Sequence, residues 1–344
     1  MMRSALITGL AGLQLTADEA AFLGAHRPCG IILFTRNCES HEQIRGLISA
    51  AKEAIGAADL LVLIDQEGGR VQRLRPPLGR ALPPAAAYAA LYASDQDGAC
   101  RAANSAARLV AEDLSALGIN TDCAPVLDVP VRGSHDVIGD RAYGVSPEQV
   151  ARIGRAVAEG FIAQGMLPVI KHIPGHGRAT KDSHHDLPVV STTRAELSKT
   201  DFQSFRLLAH MPAAMTAHVV FTDIDDRGPA STSEVVTREI IRGEIGFHGL
   251  LMSDDLSMKA LSGSLKDRAE AVIAAGSDVA LHCNGDLAEM QAAVAGVPAL
   301  DRRAMERFAA AIAVTQSRET FDVAAAEADL AAVLARHAAI TESV

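Results

Sequence analysis

Eight short apolar runs, each followed by a helix-like stretch, constrain this chain more than any other feature. They fall at about residues 5–9, 30–34, 60–65, 119–124, 167–172, 213–219, 250–254 and 278–282. Runs such as Gly30-Ile-Ile-Leu-Phe34 and Leu60-Leu-Val-Leu-Ile-Asp65 lack polar alternation, as expected of parallel strands covered on both faces. The repeated strand–helix order predicts an α/β fold, a (β/α)8 TIM-like barrel. Helix starts are marked by Thr16-Ala-Asp-Glu19, Ser40-His-Glu-Gln43 and Thr193-Arg-Ala-Glu196, which have capping-box form, and by Ser146-Pro147. A doubly wound sheet is the rival architecture, but its Gly-rich phosphate turn, GxGxxG or Walker type, does not occur.

Barrels commonly run to 344 residues as one unit, and no composition shift or Gly/Ser linker divides this one. The expectation is a single catalytic barrel over residues 1–344, with an Ala-rich final helix at about 323–338 packed on it. Pro76-Pro77 and Pro83-Pro84 read as a rigid surface loop. Trp is absent and aromatics are only 3%, so aliphatic residues must fill the interior. With a net charge of −10 and no basic run, nucleic acid is a poor partner. No run reaches the ~20 apolar residues of a membrane span. The apolar stretch 5–13 is broken by two glycines, unlike a signal peptide. Five cysteines (29, 38, 100, 123 and 283) without a CxxC give neither a disulfide framework nor a Cys-rich zinc site, and fit a reducing cytoplasm.

Chemistry-bearing residues gather where the predicted strands end: Asp65, Lys171-His172, His218 and Asp254-Asp255. Residues 170–188, IKHIPGHGRATKDSHHDLP, form a polar, glycine-hinged segment able to carry an imidazole over a substrate. Asp182 lies two residues before His184 and can accept a ring N–H, which would orient the ring and favour its protonated form. Such a histidine can donate to a leaving oxygen and, once neutral, activate water. A carboxylate at Asp254 can attack an anomeric carbon. Asp255, its neighbour on an extended backbone, should turn away and cap the following helix. In LIDQEGGRVQRL (63–74), Asp65 is placed to grip sugar hydroxyls, with Arg73 reaching the same pocket. IGDRAYG (138–144) offers Arg141 on a Gly-flanked loop. A metal site built from His172, His176, His184 and His185 stays open as an alternative, although their spacing matches no HExxH form.

In order, IDQEGGRVQRL, APVLDV, IGDRAYG, KHIPGHG with DSHHDLP, MTAHVVF and SDDLSM resemble glycoside hydrolase family 3, in particular its single-domain bacterial β-N-acetylglucosaminidases. The resemblance spans about residues 30–285 and implies roles. Asp254 would be the nucleophile, His184 the general acid/base and Asp182 its dyad partner. Asp65, Arg73, Arg141, Lys171 and His172 would bind the sugar. Ile173 stands where Phe or Tyr is common, and Ala142-Tyr143 replaces a frequent Ser-Phe. The resemblance also implies cell-wall recycling in the cytoplasm, on N-acetylglucosamine linked to an anhydro-muramoyl peptide. It implies no metal or organic cofactor and a small saccharide or muropeptide as substrate; the expectation is a monomer that binds neither nucleic acid nor membrane. Phosphorolysis from the same intermediate is an open alternative, because a neutral imidazole would not repel an anionic acceptor.

Overall fold

The computed structural model describes residues 2–179, 181, 183 and 186–341. The eight barrel strands are β1 (Ser4–Gly9), β2 (Pro28–Leu33), β3 (Leu61–Ile64), β4 (Thr121–Asp122), β5 (Leu167–Ile173), β6 (Ala213–Thr216), β7 (Leu250–Asp255) and β8 (Val279–His282). They close into one barrel in sequence order, β8 returning to β1, and all eight pairings are parallel. Each expected run therefore supplies one strand, and each strand leads into helical structure.

The two faces of these strands fill different cores. Ile7, Ile32, Leu63, Cys123, Val169, Met215, Met252 and Leu281 belong to a cluster fed from all round the barrel, which is its packed interior. Their alternates, such as Leu6, Ile31, Val62 and Ile64, pack outward under the helices with Ile44, Leu47, Ile48 and Val110. Burial on both faces is why the runs lack polar alternation.

Helix boundaries follow the local chemistry. Before helix Ala17–His26, the Thr16 side chain accepts from the Glu19 N–H and the Glu19 carboxylate accepts from the Thr16 N–H, a complete capping box. Ser40 and Thr193 cap their helices from the side chain only; at Ser40 the potential return partner, Gln43, accepts from the Glu39 N–H instead. Pro147 begins its helix, with Ser146 as cap. The final helix, Val323–Thr341, buries Ala326, Leu330 and Val333 in the outer core. Asp329 accepts from Ser105 at 2.8 Å, which holds this helix on helix Gln96–Ser115. All five cysteines are free thiols. Among the described residues, no helix is long and apolar enough to cross a membrane.

Candidate active site

A cavity of about 450 Å³ opens at the C-terminal ends of the strands, where the loops of a parallel barrel converge. Six of the expected residues border it together: Asp65, Arg73, Arg141, Lys171, His172 and Asp254. Asp182 and His184 lie outside the described residues, as does His185. Ser183, between Asp182 and His184 in the chain, lines the same cavity. Its hydroxyl lies 3.3 Å from His176 Nε2, and its carbonyl accepts from the Ala260 N–H on the turn that follows β7.

Lys171, on β5, is buried and bridges two carboxylates. Its Nζ is 2.8 Å from Asp65 Oδ1 and 2.6 Å from Glu67 Oε1. Arg73 holds the other oxygen of Asp65 at 2.9 Å. Arg141 grips both oxygens of Glu67 at 2.8 Å each, a bidentate pair. Burial alone would push both carboxyls up, but their cations outweigh it. Asp65 is held well below the usual carboxylate range by Lys171 and Arg73, and Glu67 drops to about 2 through Arg141 and Lys171. The network is therefore fully ionised at neutral pH, with N–H groups and carboxylate oxygens placed along the cavity wall.

The supports of this network come from the strand-end loops. Residues Gln66–Gly68 pair antiparallel with Val71–Gln72, and the Gln66 side chain accepts from the Arg73 and Leu74 N–H groups. Gly68 and Gly69 turn the hairpin with φ of +105° and +54°. A Cβ on Gly68 would lie 2.4 Å from the Pro83 carbonyl oxygen, so the Pro83-Pro84 loop seats this hairpin. Arg70 donates to Asp140 at 2.7 Å and to the carbonyls of Asp136, Val137 and Ile138, tying down the loop that carries Arg141. The guanidinium groups of Arg73 and Arg36 each lie 4.9 Å from the Phe34 ring centre.

His172 donates from Nδ1 to Asp128 Oδ2 at 2.7 Å, which fixes its ring. Asp128 is wholly buried, and its Oδ1 also accepts from the backbone N–H groups of His172 and His176. Burial holds His176 down to about 4, so it is neutral under ordinary conditions.

Asp254 is the penultimate residue of β7, and its Oδ1 accepts from the Asp255 N–H at 2.8 Å. Asp255 also borders the cavity, but its oxygens are engaged: Oδ1 accepts from the Ser257 and Cys283 N–H groups, and Oδ2 from the Ser257 hydroxyl. The expected helix cap is corrected here. The next helix begins at Leu265 with Ser264 as its cap, so Asp255 caps a turn and ties β7 to the loop after β8.

The chain belongs to glycosyl hydrolase family 3. The model of the family's N-terminal domain matches residues 6–316. The chain is 42% identical to a β-hexosaminidase of Alkalilimnicola ehrlichii, over 83% of this chain and 82% of that protein. It is 37% identical to a β-hexosaminidase of Idiomarina loihiensis, over 88% of this chain and 90% of that one. The crystal structure of native NagZ from Neisseria gonorrhoeae superposes with a TM-score of 0.86 at 34% identity, covering 97% of this chain and 98% of that one. Family membership makes the chain a glycoside hydrolase. Among the described residues, no group of three His, Cys, Asp or Glu side chains is placed to hold a metal ion.

Several residues of this family 3 site carry no assignment from sequence. Glu67 and Asp128 sit inside the motifs IDQEGGR and APVLDV, and their acidity between apolar strand ends was the available signal. Asp122 gave less. It ends β4, wholly buried, with Oδ1 accepting from the Gln66 N–H at 3.0 Å and Oδ2 without a hydrogen-bond partner. Burial pushes its carboxyl up from 3.8 to about 8. The folded chain thus keeps a proton that the unfolded chain releases, and stability from this group falls as pH rises from about 4 to about 8. Asp122→Asn keeps an acceptor for Gln66 and removes the ionisation. Its Tm should exceed that of the parent by a margin that widens between pH 4 and pH 8 and is flat above. Thermal melts across that range test this, and a pH-independent margin would contradict a buried neutral acid.

Proposed function

We propose that this protein is a retaining exo-β-N-acetylglucosaminidase acting through a covalent glycosyl ester on Asp254. The observation that carries the reading is the common cavity. Asp254 stands at the barrel mouth facing the same space as Asp65, Arg73, Arg141, Lys171 and His172. In this reading that ionised wall grips the sugar hydroxyls. Asp254 attacks the anomeric carbon while His184, oriented by Asp182, protonates the departing oxygen. Neutral His184 then takes a proton from water, which cleaves the ester, and two inversions give net retention. A histidine acid/base departs from the usual pair of carboxyl groups.

The β-hexosaminidase names of the relatives support an N-acetylhexosamine in the cavity. The resemblance to the single-domain bacterial members supports a peptidoglycan-derived N-acetylglucosaminyl-anhydro-muramoyl peptide as substrate. It also supports action in the cytoplasm as a one-barrel monomer, in keeping with five free thiols.

The deciding experiment compares nitrophenyl β-N-acetylglucosaminide with the β-glucoside, each with and without phosphate, and identifies the products. Faster cleavage of the aminosugar with release of free N-acetylglucosamine in both buffers is expected. Formation of a sugar 1-phosphate would make the enzyme a phosphorylase, and a preference for the glucoside would overturn the substrate assignment.

A further inference from the structure

His218 follows β6 and is completely buried. Its Nε2 lies 3.0 Å from the Asp255 carbonyl oxygen, and its Nδ1 lies 2.7 Å from Ser231 Oγ. Hydrogen-bond bookkeeping leaves one arrangement. A carbonyl oxygen only accepts, so Nε2 must carry the proton. Burial keeps the ring neutral against the pull of the nearby Asp254 carboxylate, so Nδ1 is an acceptor. The Ser231 hydroxyl must therefore donate. Ser231 is wholly buried and is itself seated by its backbone N–H, which donates to the Ala217 carbonyl at 3.2 Å.

Asp255 is thus held at both backbone ends. His218 donates to its carbonyl, while its N–H donates to Asp254 Oδ1. We propose that His218, its tautomer set by the Asp255 carbonyl and its ring held in place by the Ser231 hydroxyl, is a positioning residue that sets the peptide groups around Asp255 and so aims the Asp254 carboxylate at the sugar. Together with the bond from the Cys283 N–H to Asp255, it ties the end of β7 to the loops after both neighbouring strands. The inference rests on the reading of Asp254 as nucleophile.

The test measures two quantities in Ser231→Ala, His218→Met and His218→Gln: the rate at which an activated 2-fluoro-glycoside labels the protein, and the affinity for N-acetylglucosamine. Ser231→Ala removes the hydroxyl that holds Nδ1 and leaves the buried ring less firmly placed, His218→Met removes the donor, and His218→Gln offers an amide donor in its place. Labelling should slow about tenfold in Ser231→Ala and about a hundredfold in His218→Met, with His218→Gln recovering most of the loss. Affinity for N-acetylglucosamine should stay within about twofold, because aim matters in bond formation and not in ground-state binding. Should His218→Met fail to fold, Ser231→Ala and His218→Gln decide the matter. Labelling of Ser231→Ala at the parent rate, or affinity falling in step with the rate, would overturn the proposal. Peptide mapping of the parent separates the two levels. A label on a residue other than Asp254 sinks the nucleophile reading, whereas a label on Asp254 with unaltered rates sinks only the role of His218.

Discussion

Asp254→Ala is expected to lower kcat/KM on nitrophenyl β-N-acetylglucosaminide by at least about 10⁴-fold, because the step it removes in the proposed reaction is formation of the glycosyl bond to the enzyme. Among the described residues, the neighbouring carboxylates are already committed. Asp255 has its oxygens committed to Ser257 and Cys283, and Asp65 is clamped between Lys171 and Arg73. Asp254 is only half-buried, so the alanine variant should fold normally, with a circular dichroism spectrum and Tm close to the parent's. The parent, treated with an activated 2-fluoro-glycoside, should gain the mass of one sugar, and peptide mapping should place it on Asp254. Full activity in the alanine variant would remove this carboxylate from the chemistry.

The barrel was legible because its strands are buried on both faces and read as unbroken apolar runs. The discrepancies lie at strand ends and have local causes. The run 213–219 gives a strand only over Ala213–Thr216, since His218 leaves the ladder to bind Ser231 and Asp255. The run 119–124 shortens to Thr121–Asp122, and beyond it the pairing with β5 continues irregularly, through the bond from the Val169 N–H to the Ala124 carbonyl and an isolated bridge between Val126 and Lys171.

The site divides in a similar way. Residues whose chemistry shows at a strand end were legible one by one. Their partnerships were not, because these depend on barrel register. Lys171 meets Glu67 across a hundred residues of chain through the alignment of β3, β4 and β5. Sequence gives Asp65 a free carboxylate for sugar hydroxyls, whereas the fold engages both of its oxygens with cations before any sugar arrives. Sugar hydroxyls would therefore meet remaining lone pairs and the N–H groups of an ordered ion network. Asp255 illustrates the limit of local rules. An acidic residue after a strand does cap backbone N–H groups, but here those of a turn and a neighbouring strand end.

His184→Ala separates the two steps of the proposed reaction by leaving group. A proton on the bridging oxygen is needed most when the departing group is a poor one, such as a sugar hydroxyl. With such substrates the loss should reach about 10²–10⁴-fold. A dinitrophenolate leaves without help, so formation of the ester should slow far less. Breakdown of the ester still needs an activated water, so the glycosyl-enzyme should accumulate and give a burst of phenolate followed by a slow steady state. Ser183, one peptide bond from His184, borders the cavity that Asp254 faces, and its carbonyl is held by Ala260 on the turn just beyond Asp254. Measured over a series of aryl glycosides, log(kcat/KM) for His184→Ala should fall steeply with leaving-group pKa, while the parent shows a shallow slope. Equal losses across the series would mean that His184 shapes the cavity and does not move the proton, and the acid would have to be sought among the other groups that line it.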